Sequence, residues 1–238
     1  FIKQEKLKKG GLNFPLKISQ VYTEFGYLHF IRGSSEKALA YYTLSLREKK
    51  RIPGLNPREL IVVNNNIGGC YLSLHKNDSA RFYFLKAADY AVRTGESPAD
   101  YYVNLGVIDG KEKKYDEALM YFQKALQCLD SVNCTSDLST NPDVNHVTPL
   151  LADHTAYKAH TFHKRYSQYR DPKDLYLGLN TFMVALDMMD TLRFKYSFKS
   201  KPYLSSENKI FYYKALDMAL ELYARDPQQA YLEQAFQL

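Results

Sequence analysis

Several absences narrow the possibilities before any motif is read. No apolar run approaches the roughly 20 residues that a membrane-spanning helix needs. No signal-peptide pattern follows Phe1. There are only three cysteines, an odd number without disulfide-framework spacing, which points to a reducing, cytoplasmic setting. No stretch alternates apolar and polar residues with period two, so no sheet is expected. A strong charge of one sign is also missing. The net charge is +6 over 238 residues, and the lysine clusters "KQEKLKK", "REKKR" and "KEKK" are broken by glutamate, as on solvated helix faces. The chain begins at Phe1 and stops at Leu238 inside an amphipathic run, which reads as a piece of a longer protein.

What the sequence does have is helix punctuation. "NPRE" (Asn56 to Glu59), "SPAD" (Ser97 to Asp100), "TPLL" (Thr148 to Leu151), "DPKD" (Asp171 to Asp174) and "DPQQ" (Asp226 to Gln229) each pair a capping side chain with proline. The capping oxygen can accept from the exposed amides of a first turn, where proline's missing N–H costs nothing. Glu59 and Gln229 sit where a capping box would use them. Between these starts the apolar residues keep helical spacing, as in Ala118, Leu119, Phe122, Ala125, Leu126 and Leu129.

The helices repeat. Gly26, Gly68 and Gly106 are each followed twelve positions later by an alanine: Ala38, Ala80 and Ala118. Four positions further stand Tyr42, Phe84 and Phe122, and seven further Ser45, Ala87 and Ala125. Phe25, Ile67 and Leu105 precede the glycines. The glycine and alanine are expected to mark a close crossing of two antiparallel helices. At this point "YYVNLGVIDGKEKKYDEALMYFQKAL" resembles the tetratricopeptide repeat, with Asp109 where that family has an aromatic residue. The second repeat has Tyr71 there but Asn64 at the earlier aromatic position, and the first has His29. The repeats lie 42 and 38 residues apart, longer than the family's usual period. The resemblance implies an all-α chain, a right-handed solenoid of about five antiparallel helix pairs. Residues 1–130 hold three pairs, 131–149 form an exposed loop insertion, and 150–238 hold two longer pairs.

The second half is similar to something narrower. "LLADHTAYKAHTFHKRY", "ALDMMDTLR", "ENKIFYYKALDMALELY" and "YLEQAF" resemble the helical stretch that precedes a CHAT domain, a caspase-like protease fold found behind tetratricopeptide arrays, often in bacteria. On that resemblance the catalytic histidine and cysteine would lie beyond Leu238, and no residue of this chain takes either role.

Chemical sites do not assemble from the remaining residues. In "NNNIGGCYLSLH", Cys70 and His75 are five apart on one helix and point to different faces, and the glycine pair follows no strand. His160, His163 and Asp153 lack a further metal ligand at helical spacing. Tyr22, Tyr42, Tyr71, Phe84, Tyr102 and Phe122 occupy repeat positions and are expected in the core, which leaves little aromatic surface for nucleic-acid stacking. No catalytic, metal or cofactor site is expected. Binding needs no special chemistry, because first helices of such repeats line a concave face. The repeat pattern puts Thr23, Tyr27, Asn65, Gly69, Val103, Val107 and Lys111 there, facing a peptide or protein ligand. The expected function is a protein-interaction module, either the arm of a CHAT-type protease-like protein or a stand-alone scaffold; a basic nucleic-acid-binding solenoid is the third reading.

Overall fold

The computed structural model describes residues 2–145, 147–196 and 206–237, with side chains over 14–145, 147–195, 209–231 and 233–235. Among the described residues there are ten helices and no strand. They are α1 (Ile2–Ile31), α2 (Ser35–Lys50), α3 (Arg58–Ser73), α4 (Asn77–Thr94), α5 (Ala99–Lys111), α6 (Tyr115–Leu129), α7 (Pro149–Tyr169), α8 (Pro172–Tyr196), α9 (Ser206–Arg225) and α10 (Gln229–Gln237). The chain divides into two compact units, 1–108 and 109–238, each described by itself.

In the first unit α1 packs on α2, α2 on α3 and α3 on α4. Ala38 and Ala80, the first-register alanines, are fully buried, and Tyr42 and Phe84 nearly so. The glycines lie against these rings. A Cβ on Gly26 would lie 2.6 Å from the Tyr42 ring, and one on Gly68 would lie 2.8 Å from the Phe84 ring. The small residue therefore makes room for the aromatic side chain one turn beyond the alanine. Asn64, standing where an aromatic residue was expected, is buried and donates to the Leu60 carbonyl at 2.6 Å within its own helix.

One turn recurs with the repeat. Gly33, His75 and Lys113 hold the same register position and all take left-handed φ, at 74°, 56° and 62°. The following amide reaches back five residues each time: Ser34 to His29 O, Lys76 to Tyr71 O and Lys114 to Asp109 O, each at 2.9 Å. This closes the carbonyls left open at a helix end. His75 thus has a conformational role, and only the first repeat gives that position to glycine.

The proline signals mark helix starts with varied chemistry. Thr148 caps α7, accepting from the Leu151 amide at 3.2 Å with Pro149 in the first turn. Asn56 and Asp171 accept from Arg58 N (3.1 Å) and Lys173 N (2.9 Å). Neither expected capping box forms. The Glu59 carboxylate takes Lys49 Nζ of α2, and Gln229 donates to Glu233 one turn on.

In the second unit α6, α7, α8 and α9 pack in sequence around Phe182, Leu175, Leu179, Met188 and Leu192. Arg165 of α7 ties Asp174 of α8 to Asp116 of α6. Tyr166 and Glu221 join α7 to α9. Most described residues of the segment between α6 and α7 are exposed, yet the segment is anchored to the helices at several points. Cys134 is buried in the core, and Val144 and Val147 pack against it. The buried Gln123 donates to Thr135 O (2.7 Å) and Thr140 Oγ1 (2.9 Å). Buried Lys158 donates to Thr140 O (2.7 Å) and Asn141 Oδ1 (3.1 Å), and burial pulls its ammonium down to about 8. Internal partners for the polar backbone are what let this segment sit against the helices.

Candidate functional site

The first unit carries a groove of about 300 Å3 on the faces of α1, α3 and α5. Tyr27 and Phe30 come from α1, Asn65, Asn66, Gly69 and Ser73 from α3, and Asn104 from α5. Residues spaced three and four apart on a helix share a face, so α3 presents a polar stripe that turns over Gly69. Asn104 Nδ2 donates to Asn65 Oδ1 at 3.2 Å, fixing two amides side by side. A Cβ on Gly69 would find only Phe30 Cζ, at 3.8 Å. The absent side chain thus leaves open space in the groove.

Three of the seven sequence-expected residues, Tyr27, Asn65 and Gly69, line this groove together. Tyr27 is 54% exposed. Thr23 does not line it, because its hydroxyl meets Ser45 Oγ at 2.8 Å and the Ser19 carbonyl at 3.0 Å, clasping α1 to α2. Val103 is buried at 6% exposure and belongs to the packing of α5. Val107 is half-buried, and Lys111 is exposed and falls in the second unit. The sequence reading missed Phe30, Asn66, Leu72, Ser73 and Asn104, while Tyr42 and Phe84, expected as core, also line the groove. The repeat itself could have found two of them, since Asn104 follows Asn66 by the 38-residue step that relates Gly106 to Gly68.

The aromatic expectation holds unevenly. Tyr42, Phe84 and Phe122 are core, while Tyr22, Tyr71 and Tyr102 are half-buried. Burial, with smaller effects from Cys70, Glu24 and Tyr27, pushes the Tyr42 phenol up to about 12.

The other chemical candidates are engaged elsewhere. Cys70 is fully buried and its thiol is pushed up to about 11 by that burial, which removes the thiolate a nucleophile requires. His160 stacks on His163 and faces Lys214 Nζ at 2.7 Å. Burial first, then Lys214, Lys164 and His163, hold its imidazole down at about 3. Among the described residues, no three His, Cys, Asp or Glu side chains converge as a metal site. A larger cleft of about 880 Å3 in the second unit is lined by Asp116, Asp137, Arg165, Tyr169, Asp171 and Lys173, among others. Its most buried charge, Arg165, is already satisfied by Asp174 and Asp116.

Comparison with known proteins agrees with this architecture. Residues 99–127, spanning α5 and α6, match the tetratricopeptide repeat family. No curated protein matches the sequence. The fold is similar to that of BtubC (BKLC) from P. vanneervenii, at TM-score 0.68 and 14% identity, over 98% of this chain and 85% of that one. It is also similar to a Podosopora anserina protein of nearly identical TPR-like repeats, at TM-score 0.56 and 9% identity, over 93% of this chain and 94% of that one. No described helix is long and apolar enough to cross a membrane. With a matched repeat at 99–127 and ten helices without a strand among the described residues, the chain is an all-α protein with the tetratricopeptide-like solenoid fold.

Proposed function

We propose that this chain is a protein-interaction module that holds an extended peptide segment in the groove of α1, α3 and α5. The observation that carries the reading is the lining. Asn65, Asn66 and Asn104 bring side-chain amides to one surface, beside the rings of Tyr27 and Phe30 and over the open space at Gly69. Amides supply both a donor and an acceptor, as a peptide backbone requires, and the rings offer apolar contact for alternate side chains. The groove has no net charge of its own, so recognition rests on backbone hydrogen bonds and shape. Gly69→Arg would fill the open space without entering the core, and it is expected to abolish peptide binding while the helical circular dichroism stays unchanged. Peptide affinity that survives Gly69→Arg counts against the groove.

The finer reading is that the module is the recruiting or regulatory arm of a CHAT-type protease-like protein. It is supported by the order of motifs on α7, α8 and α9, from "LLADHTAYKAHTFHKRY" through "ALDMMDTLR" to "ENKIFYYKALDMALELY". A stand-alone scaffold is the alternative. Reading the gene past the Leu238 codon separates them: an α/β domain bearing a histidine and a cysteine supports the arm, and further repeats or a stop codon support the scaffold.

A further inference from the structure

We propose that the outer face of α1 is a self-association surface, on which two copies of this chain pair through antiparallel α1 helices. The repeat register shows that this face is built to be covered. Stepping by 42 residues, Ile18, Val21, Phe25 and Leu28 correspond to Leu60, Val63, Ile67 and Cys70 of α3. Those α3 residues pack against Ala38, Tyr42 and Leu46 of α2, and Val63, Ile67 and Cys70 are at most 1% exposed. The α5 equivalents of Phe25 and Leu28, which are Leu105 and Ile108, are fully buried. On α1 the same positions stand open: Val21 is 52% exposed, Phe25 46% and Leu28 43%, with Phe14 at 67% in line with them. Phe25 is only flanked, by the Tyr41 ring at 5.5 Å.

The spacing favours a helix as the occupant. Phe14, Ile18, Val21, Phe25 and Leu28 follow one another at intervals of four, three, four and three residues, the seam of a coiled coil. The flanking charges favour a second copy. On the side of the seam away from Tyr22 and His29, which face Tyr41 of α2, lie the exposed Lys17 and Glu24. The antiparallel register that sets Ile18 against Val21 and Phe14 against Phe25 of the other copy brings each Lys17 beside the other copy's Glu24. Sliding by one heptad would set the two Glu24 carboxylates against each other and Phe14 against Arg32, so the charges select one register. A two-fold arrangement uses the same patch on both copies, as closed dimers do. The paired stretch is short, so the association is concentration-dependent.

The test is sedimentation equilibrium of the 238-residue chain from low to high micromolar concentration. A monomer of 27.6 kDa giving way to its dimer as concentration rises is the expected result. Val21→Glu, an exposed position whose substitution leaves the helical circular dichroism intact, abolishes the dimer. Lys17→Glu and Glu24→Lys each weaken it by about tenfold through like-charge contact, and the double variant returns to within about threefold of wild type. A chain that stays monomeric throughout, as it would if this face served a helix of another protein, overturns the proposal. So does a dimer indifferent to Val21→Glu, or a double variant that fails to recover.

Discussion

Gly68 and Gly69 are adjacent on α3, and the structure gives them opposite responses to one methyl group. At Gly68 an added Cβ would lie 2.8 Å from two atoms of the Phe84 ring and 3.1 Å from a third. Carbon atoms prefer about 3.5–4.0 Å, so the ring must move by several tenths of an ångström or more. Phe84 is 1% exposed, and its neighbours leave it little freedom to shift. Overpacking of this kind costs about 1–3 kcal/mol, against a gain of about 1 kcal/mol for replacing glycine by alanine inside a helix. The clash outweighs that gain over most of its range, and Gly68→Ala is expected to destabilise the first unit by up to about 2 kcal/mol. At Gly69 the nearest atom is 3.8 Å away, an ordinary contact, so only the helix term remains. Gly69→Ala is expected to stabilise by about 0.5–1 kcal/mol. Urea unfolding followed by circular dichroism at the helical band measures both. A Gly68→Ala protein as stable as Gly69→Ala would refute the account of what the repeat glycine does.

Other expectations follow from burial and charge. Cys128 is exposed whereas Cys70 and Cys134 are buried with thiols pushed up to about 11, so a thiol reagent at neutral pH should label Cys128 and reach the others only on unfolding. Labelling of Cys70 at the same rate as Cys128 in the folded protein would contradict this. His160 is held below its ordinary 6.5, at about 3, so its contribution to stability is complete above about 6.5 and is lost as pH falls from there toward 3. Its half-buried position limits the loss to about 1 kcal/mol between pH 6.5 and 5. Urea unfolding of His160→Gln across that range should show a shallower acid slope than wild type, and an identical slope would remove the assignment. In the second unit, a Cβ on Gly178 would strike Met218 of α9 and come within 3.1 Å of Phe162 Cβ of α7. The helix gain of about 1 kcal/mol and the movable methionine tip offset most of this, so Gly178→Ala is expected to lower stability in urea unfolding by no more than about 1 kcal/mol.

The all-α class and the helix pairs were legible because their signals are local and periodic. Gly26 and Gly68 keep equivalent places in the structure, and α7 and α8 begin at the prolines of "TPLL" and "DPKD". What the glycine touches was not legible, because spacing says that a small residue is needed without saying which side chain fills the gap. The anchoring of segment 131–149 was not legible for a related reason. Its polar composition reads as solvated, yet Gln123 and Lys158, distant in sequence, supply the buried partners that hold it down. Thr23 and Val103 were placed at a binding surface by register alone. Register fixes the face of a helix, but it cannot reveal the Ser45 hydroxyl or the neighbours that bury Val103. Phe25 shows the reverse case, a repeat position whose covering helix the described residues do not supply.

The measurement that bears most directly on the proposed function is a display selection of random peptides on the 238-residue chain, followed by fluorescence anisotropy of the enriched sequences. Wild type is expected to enrich peptides that bind in extended form. Asn66→Ala should weaken them by about tenfold through loss of a side-chain amide, and Gly69→Arg should reduce binding further. Peptides that bind both variants as tightly as wild type, or no enrichment at all, would contradict a peptide-holding groove on α1, α3 and α5.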